Sequence, residues 1–186
     1  MIKLKRIIKE VVNALPPALI QHQPHKPQAA VVVNQKMVDD AYILTATIWS
    51  EARGDGEKGM QAVLNVILNR SNGDFSKASE AATKFSTSKK GKKIHQFSCW
   101  NGITDPVSFA KKLSKLHYNG KEQDDILYTK AIELVDKSIK HQLQDITKGA
   151  GFYFNPSKAH PSWAKKLIKT ASIGHHDFYK APPKKV

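Results

Sequence analysis

The chain has 186 residues, 40% of them hydrophobic, with 30 Lys and Arg against 16 Asp and Glu, a net charge of +14 at neutral pH. That length and apolar content suit one domain with appendages, and no apolar run is long enough to span a bilayer. The charge implies a polyanionic partner, whether nucleic acid, an anionic membrane surface or a wall polymer, without choosing among them. Cys99 is the only cysteine, which excludes an intrachain disulfide and a CxxC zinc site.

Residues 2–15 place Leu4, Ile7, Ile8, Val11, Val12 and Leu15 at helical spacing, with Lys3, Lys5, Arg6 and Lys9 mostly elsewhere. This predicts a basic amphipathic helix, suited either to an anionic membrane or lipopolysaccharide surface or to docking on the core. Lys9 and Glu10 interrupt any signal-peptide core and no small-x-small cleavage site follows, so no cleavable signal is expected. Pro16, Pro17, Pro24 and Pro27 make an extended linker. The expected organisation is a helix and Pro-rich linker over 1–35, a main domain over 36–181 and a basic tail over 182–186.

The segment Met37 to Gly54 reads as a helix with Ala41, Leu44, Ile48 and Ala52 along one stripe and Gly54 as its terminating residue. At about 100° per residue, Glu51 falls within about 20° of Leu44, on the edge of that stripe. A carboxylate in partly dry surroundings has its charged form disfavoured, which suits a general acid. The alternatives are a Glu that reaches solvent at the helix end or pairs with Arg53. Glu57 favours a new helix start, and residues 58–70, apolar nearly all round, predict a helix at the buried centre. Arg53 and Arg70 read as pins for carboxylates or helix ends.

Residues 85–104, rich in Ser, Lys and Gly, read as a long loop around Gln96-Phe97-Ser98-Cys99-Trp100-Asn101. Asp105-Pro106 is an N-cap and N1 pair for a helix to about Leu116. A further helix is predicted from about Glu122 to Lys140, with Ile126, Ala131, Ile132, Val135 and Ile139 inward. Phe152–Phe154 and Ile173–Tyr179 read as short strands pairing across Pro161-Ser162-Trp163. The fold class is therefore helix-dominated α+β with a small C-terminal β-hairpin or sheet.

No HExxH is present, and a strand would point His175 and His176 to opposite faces; no metal or cofactor is expected. Phosphate-loop glycine patterns are lacking too, and Ser98 has no nucleophile-elbow context. What remains is a candidate acid at a helix end with aromatics and amides on several loops. Trp100, Tyr153 and Trp163 suit a core, but aromatic faces interleaved with Gln96, Asn101 and Asn155 also suit sugars. On that second reading Glu51 protonates a glycosidic oxygen.

The blocks Trp49-Ser-Glu-Ala-Arg-Gly54, Ala62-Val63 through Val66-Ile67-Leu68-Asn69-Arg70, Gln96-Phe97-Ser98-Cys99-Trp100, Tyr153-Phe154-Asn155-Pro156, Pro161-Ser162-Trp163-Ala164-Lys165 and Ile173-Gly174-x-His176-x-Phe178-Tyr179 resemble, in order, the spore-cortex-lytic (SleB-like) cell wall hydrolases. The resemblance covers about residues 40–180. It implies a fold similar to lysozyme-like lytic transglycosylases and an activity on peptidoglycan glycan strands. By residue matching it implies Glu51 as the catalytic acid, and Gln96, Ser98, Trp100, Tyr153, Asn155 and His176 as substrate-binding residues. Gly151 stands where the family often has Thr, and Phe152 where it has His or Tyr.

The expected function is cleavage of the β-1,4 bond between N-acetylmuramic acid and N-acetylglucosamine by a lytic transglycosylase acting as a monomer. The expected context is a phage endolysin, released from the host cytoplasm to the wall, or a virion-associated enzyme; a bacterial wall-remodelling or germination enzyme is the other context. The rivals are a hydrolytic muramidase, an N-acetylmuramoyl-L-alanine amidase, and a non-catalytic wall-binding or nucleic-acid-binding protein. The amidase is disfavoured by the missing zinc set, and nucleic acid is not the expected partner.

Overall fold

The computed structural model describes residues 35–118 and 125–183. Within them the helices are α1 (Gln35–Ala52), α2 (Gly56–Arg70), α3 (Ala78–Thr83), α4 (Pro106–His117) and α5 (Ile126–Ile139). The strands are β1 (Phe85–Thr87), β2 (Lys93–His95), β3 (Phe152–Phe154), β4 (Ile168–Ile173) and β5 (His176–Lys180). Helices dominate and the strands form two small antiparallel sheets, the α+β class expected. The N-terminal helix and linker, up to residue 34, and residues 184–186 of the tail lie outside the described residues.

The stripe of Ala41, Leu44, Ile48 and Ala52 is buried, and so are Tyr42, Ile43, Ala46 and the polar Thr45 and Thr47 on the other faces. The reason is that α2, α3, α4 and α5 all pack against α1. The axis of the core is thus α1 together with α2, rather than α2 alone. Two of the polar groups inside are satisfied locally: Thr47 Oγ1 donates to Ile43 O and accepts from Trp100 Nε1 (3.1 Å). Asp40 accepts from Ser79 Oγ (2.6 Å) and Lys36 Nζ (2.8 Å).

The end of α1 differs from the expected one. The α-helix stops at Ala52 and tightens into a 3-10 turn over Arg53–Asp55. The left-handed residue is Gly56 (φ +68°), not Gly54. Glycine reaches that conformation without the Cβ clash other residues suffer, and the extra turn carries Asp55 away from the α1 axis. Glu57 then lies in the first turn of α2, as read from the sequence.

Asp105 caps α4 by accepting from Ser108 N (3.0 Å), with Pro106 at its start, a cap worth about 1 kcal/mol. Helix α5 begins at Ile126 behind Asp125, whose carboxylate accepts from Leu127 and Tyr128 N. The expected start at Glu122 falls outside the described residues. Ile126, expected inward, is 75% exposed; Tyr128 takes the inward place with Ala131, Ile132, Val135 and Ile139.

The expected loop over 85–104 contains the β1–β2 hairpin, turned through Ser88 to Lys92, followed by a 3-10 turn at Ser98–Trp100. In the C-terminal sheet the order is β3-β5-β4. Phe152–Phe154 is the strand expected, but Ile173–Tyr179 is not one strand: Ile173 ends β4, and Gly174-His175 turn the chain into β5. β3 pairs with β5 (Tyr153 opposite Phe178), and β4 pairs with β5 across a bulge at Lys169/Ala171. Strand alternation puts Tyr153, Phe178 and His176 on the face toward the helices. Phe152, Phe154 and Tyr179 pack tilted or edge-on against Trp163 on the other face.

Candidate active site

Glu51 sits in the last turn of α1, and two neighbours fix where that turn ends. Trp49, two residues before it, donates from Nε1 to Asp125 Oδ2 (2.8 Å) and packs between His117 and Tyr128. The helix end is thereby pinned to the start of α5. Arg53 lies over the Trp49 ring at 4.4 Å and donates to Ser50 O (3.2 Å). Among the described residues it pairs with no carboxylate, and so leaves Glu51 free to face the C-terminal sheet.

Three donors converge on the half-buried Glu51 carboxyl. Ser98 Oγ (3.2 Å) and Cys99 N (3.1 Å) donate to Oε1, and the Tyr153 hydroxyl donates to Oε2 (3.2 Å). Ser98 and Cys99 come from the 3-10 turn after the β1–β2 hairpin, and Tyr153 from the centre of β3. Burial, and then the adjacent Glu51 carboxyl, push the Tyr153 hydroxyl and the Cys99 thiol well above their ordinary values. Both therefore stay protonated across the physiological range. A carboxyl oxygen pair offers about four lone-pair sites; three are taken, which leaves one on Oε2 for a substrate.

The surrounding shell holds those donors still. Arg70, at the end of α2, donates from Nε to Gly151 O (2.7 Å) and from Nη1 to Gln96 Oε1 (3.0 Å), and lies 5.2 Å over the Phe97 ring. It thus ties the segment bearing Ser98 and Cys99 to the segment bearing Tyr153. Burial lowers its guanidinium from the usual value, with a smaller opposing influence from Tyr153. Of the two roles read for these arginines from the sequence, Arg53 holds a helix-end carbonyl, and among the described residues neither arginine makes an ion pair with a carboxylate.

The expected ligand residues divide into groups. Ser98 and Tyr153 touch Glu51 directly. Gln96 is exposed beside them and held by Arg70. His176 lies behind Tyr153, its ring edge-on at 5.2 Å. Trp100 is a correction: it is 0% exposed, bonded to Thr47 and packed on Phe109, so it belongs to the core and cannot stack on a sugar. Asn155 is half-buried, and its Oδ1 accepts from Ser157 N (2.9 Å) and Ser157 Oγ (2.6 Å), which makes it the cap of the turn after β3. Phe152, one of the departures from the family pattern, faces away from Glu51 with Trp163.

Two groups take roles that the sequence does not assign. One is the Cys99 backbone N–H, which any residue type supplies. The other is Asp55, whose carboxylate accepts from both His175 Nδ1 and His176 Nδ1 (2.7 Å for the latter) and from His175 N (3.1 Å). His175 lies in the β4–β5 turn rather than in a strand, so alternation does not separate the two rings. Burial alone would raise Asp55, but the hydrogen bonds from His175 and His176 outweigh it and hold the carboxyl below its usual range. Among the described residues no cluster of three or more His, Cys, Asp or Glu is arranged to hold a metal ion.

A helical core thus presents one three-donor carboxyl beside a small sheet. The profile of the family described as Cell Wall Hydrolase matches residues 54–179, and the chain belongs to that family. It is a peptidoglycan-degrading enzyme. Two solved structures are similar to it: the catalytic domain of the germination-specific lytic transglycosylase SleB from Bacillus anthracis and that of the Bacillus cereus SleB protein. The first is 24% identical, covering 76% of this chain and 94% of that one, with a TM-score of 0.42. The second is 25% identical over 76% and 90%, with a TM-score of 0.43. No curated protein matches.

Proposed function

We propose that the enzyme cleaves the β-1,4 bond between N-acetylmuramic acid and N-acetylglucosamine as a lytic transglycosylase, with Glu51 as its only proton carrier. Glu51 gives its proton to the glycosidic oxygen as the muramyl C–O bond breaks, leaving an oxocarbenium ion. The resulting carboxylate takes a proton from the muramyl C6 hydroxyl, whose oxygen closes on the anomeric carbon. One proton leaves Glu51 and one returns, so the product carries a 1,6-anhydro ring and water is not consumed.

The observation that carries this reading is the contrast between Glu51 and Asp55. A hydrolase needs a second carboxylate as nucleophile or to activate water. Asp55, the carboxylate four residues on, has both oxygens occupied by His175 and His176 and a side chain only 4% exposed. Glu57 instead faces Lys130 at 4.0 Å. The Tyr153, Ser98 and Cys99 donors hold the Glu51 carboxylate for the second step, where its negative charge must be stabilised until it regains a proton.

The setting we infer is an anionic wall or lipopolysaccharide surface, to which the charge of +14 is complementary, and lysis by a phage-borne monomer reaching the wall from the host cytoplasm or as part of the virion. Mass spectrometry of purified sacculi after digestion tests the chemistry. Anhydromuramyl ends with wild type, and no soluble fragments with Glu51→Gln, are the expected outcome; reducing muramyl ends overturn it.

A further inference from the structure

We propose that Asp55 is a positioning residue for this reaction, acting on Glu51 through His176 and Tyr153. The inference rests on the reading of Glu51 as the reacting group. Four independent features converge on this one side chain. His176 donates its Nδ1–H to Asp55 Oδ2, and its ring lies edge-on to Tyr153, whose hydroxyl donates to Glu51 Oε2. His175 holds Oδ1 with both its ring and its backbone N–H. Gly174 turns the β4–β5 hairpin at φ +58°, and a Cβ there would lie 2.3 Å from Asp55 Cγ. Gly59 on α2 leaves a matching space, since a Cβ there would lie 2.2 Å from Asp55 Cβ.

The two glycines let the first turn of α2 and the tip of the hairpin close on the carboxylate from opposite sides. A buried carboxylate so enclosed fixes two things. It fixes the place of the hairpin, and with it of β5, which is paired with β3 and so with Tyr153. It also fixes the tautomer of His176: a proton held on Nδ1 by Asp55 leaves Nε2 of the neutral ring as an acceptor. The C-terminal sheet is thereby latched to the turn that follows Glu51, across a sequence separation of 121 residues. The sheet and the helix end then carry the two halves of the Glu51–Tyr153 pair in one register.

Asp55→Asn keeps the side-chain volume but removes the charge and turns one acceptor into an amide donor. With a soluble glycan-chain substrate, kcat should fall between about 10-fold and about 100-fold, with KM within about 3-fold and products still ending in 1,6-anhydro rings. Nitrogen NMR should place the His176 proton on Nδ1 in the wild type and on Nε2 in the variant. Wild-type kcat in Asp55→Asn, or a wild-type His176 protonated on Nε2 alone, overturns the proposal. If Asp55→Asn melts below the assay temperature, Gly174→Ala decides: it leaves every polar group in place but drives a methyl into the carboxylate. The same kcat loss in that variant, with its fold intact, supports the latch, and an undiminished kcat overturns it. A wild type that yields no anhydro ends would sink the transglycosylase reading while leaving the tautomer result in place, so the two failures are distinguishable.

Discussion

The helical region and the C-terminal sheet reach the same carboxyl by different routes. In the helices, periodicity dictates burial: Ala41, Leu44, Ile48 and Ala52 recur on one face of α1, and the residue next to that face, Glu51, is carried to the edge of the core. In the sheet, nothing periodic announces that Tyr153 will face Glu51 with His176 behind it; they get there because β3 and β5 pair, and because Asp55 and Arg70 tie the sheet to α1 and α2. Glu51 is thus placed by local sequence, whereas the groups that hold it are placed by long-range polar contacts. Such contacts are sensitive to single substitutions, because removing one partner leaves the other buried and unsatisfied.

Substitutions can break this division at either side. The largest effect belongs to Glu51→Gln, which removes the proton carrier and should lower turnover by at least about 1000-fold without shifting the thermal melt; a variant retaining a tenth of wild-type activity would refute the role. Next comes Trp100→Ala, a test of whether that residue is core or cleft. It should cost about 3–5 kcal/mol in denaturant unfolding, and a stable variant with weakened substrate binding would return Trp100 to the cleft.

Tyr153→Phe deletes one donor to Glu51 while keeping the ring packed on Phe178, and about 10- to 100-fold in kcat should be lost. Ser98 is exposed and solvent can replace it, so Ser98→Ala should cost only about 3- to 10-fold; a loss equal to that of Tyr153→Phe would show that Oε1, not Oε2, carries the critical contact. The smallest effect concerns pH. Asp55 is held below its ordinary value of 3.8 in the folded protein, so its contribution is present above that value and is lost as pH falls through the lowered one. Asp145 and Asp177 shift the same way. Melting temperature should therefore fall on acidification in the wild type and fall less steeply in Asp55→Asn; parallel curves would show that the latch adds nothing to stability.

How much of this was legible in the sequence follows the same division. Helix α1 and its Glu51, the Asp105-Pro106 start of α4 and the inward face of α5 all follow from spacing and capping chemistry, which act within a few residues. The β1–β2 hairpin was hidden because its strands are almost wholly exposed, so no apolar alternation marks them. Strand β4 was hidden because the bulge at Lys169/Ala171 breaks its alternation. Trp100 carries the same residue type whether it stacks on a sugar or fills a core, and only its bond to Thr47 decides. Asp55 reads as a turn residue until the hairpin brings two histidines onto it from 120 and 121 residues away.

The central claim is that a single carboxyl carries one proton out and one back, with no water in the chemistry. Digestion of purified peptidoglycan in heavy-oxygen water tests it most directly. The account predicts muramyl ends closed as anhydro rings and free of the heavy isotope; muramyl reducing ends carrying that isotope at the anomeric carbon would contradict it.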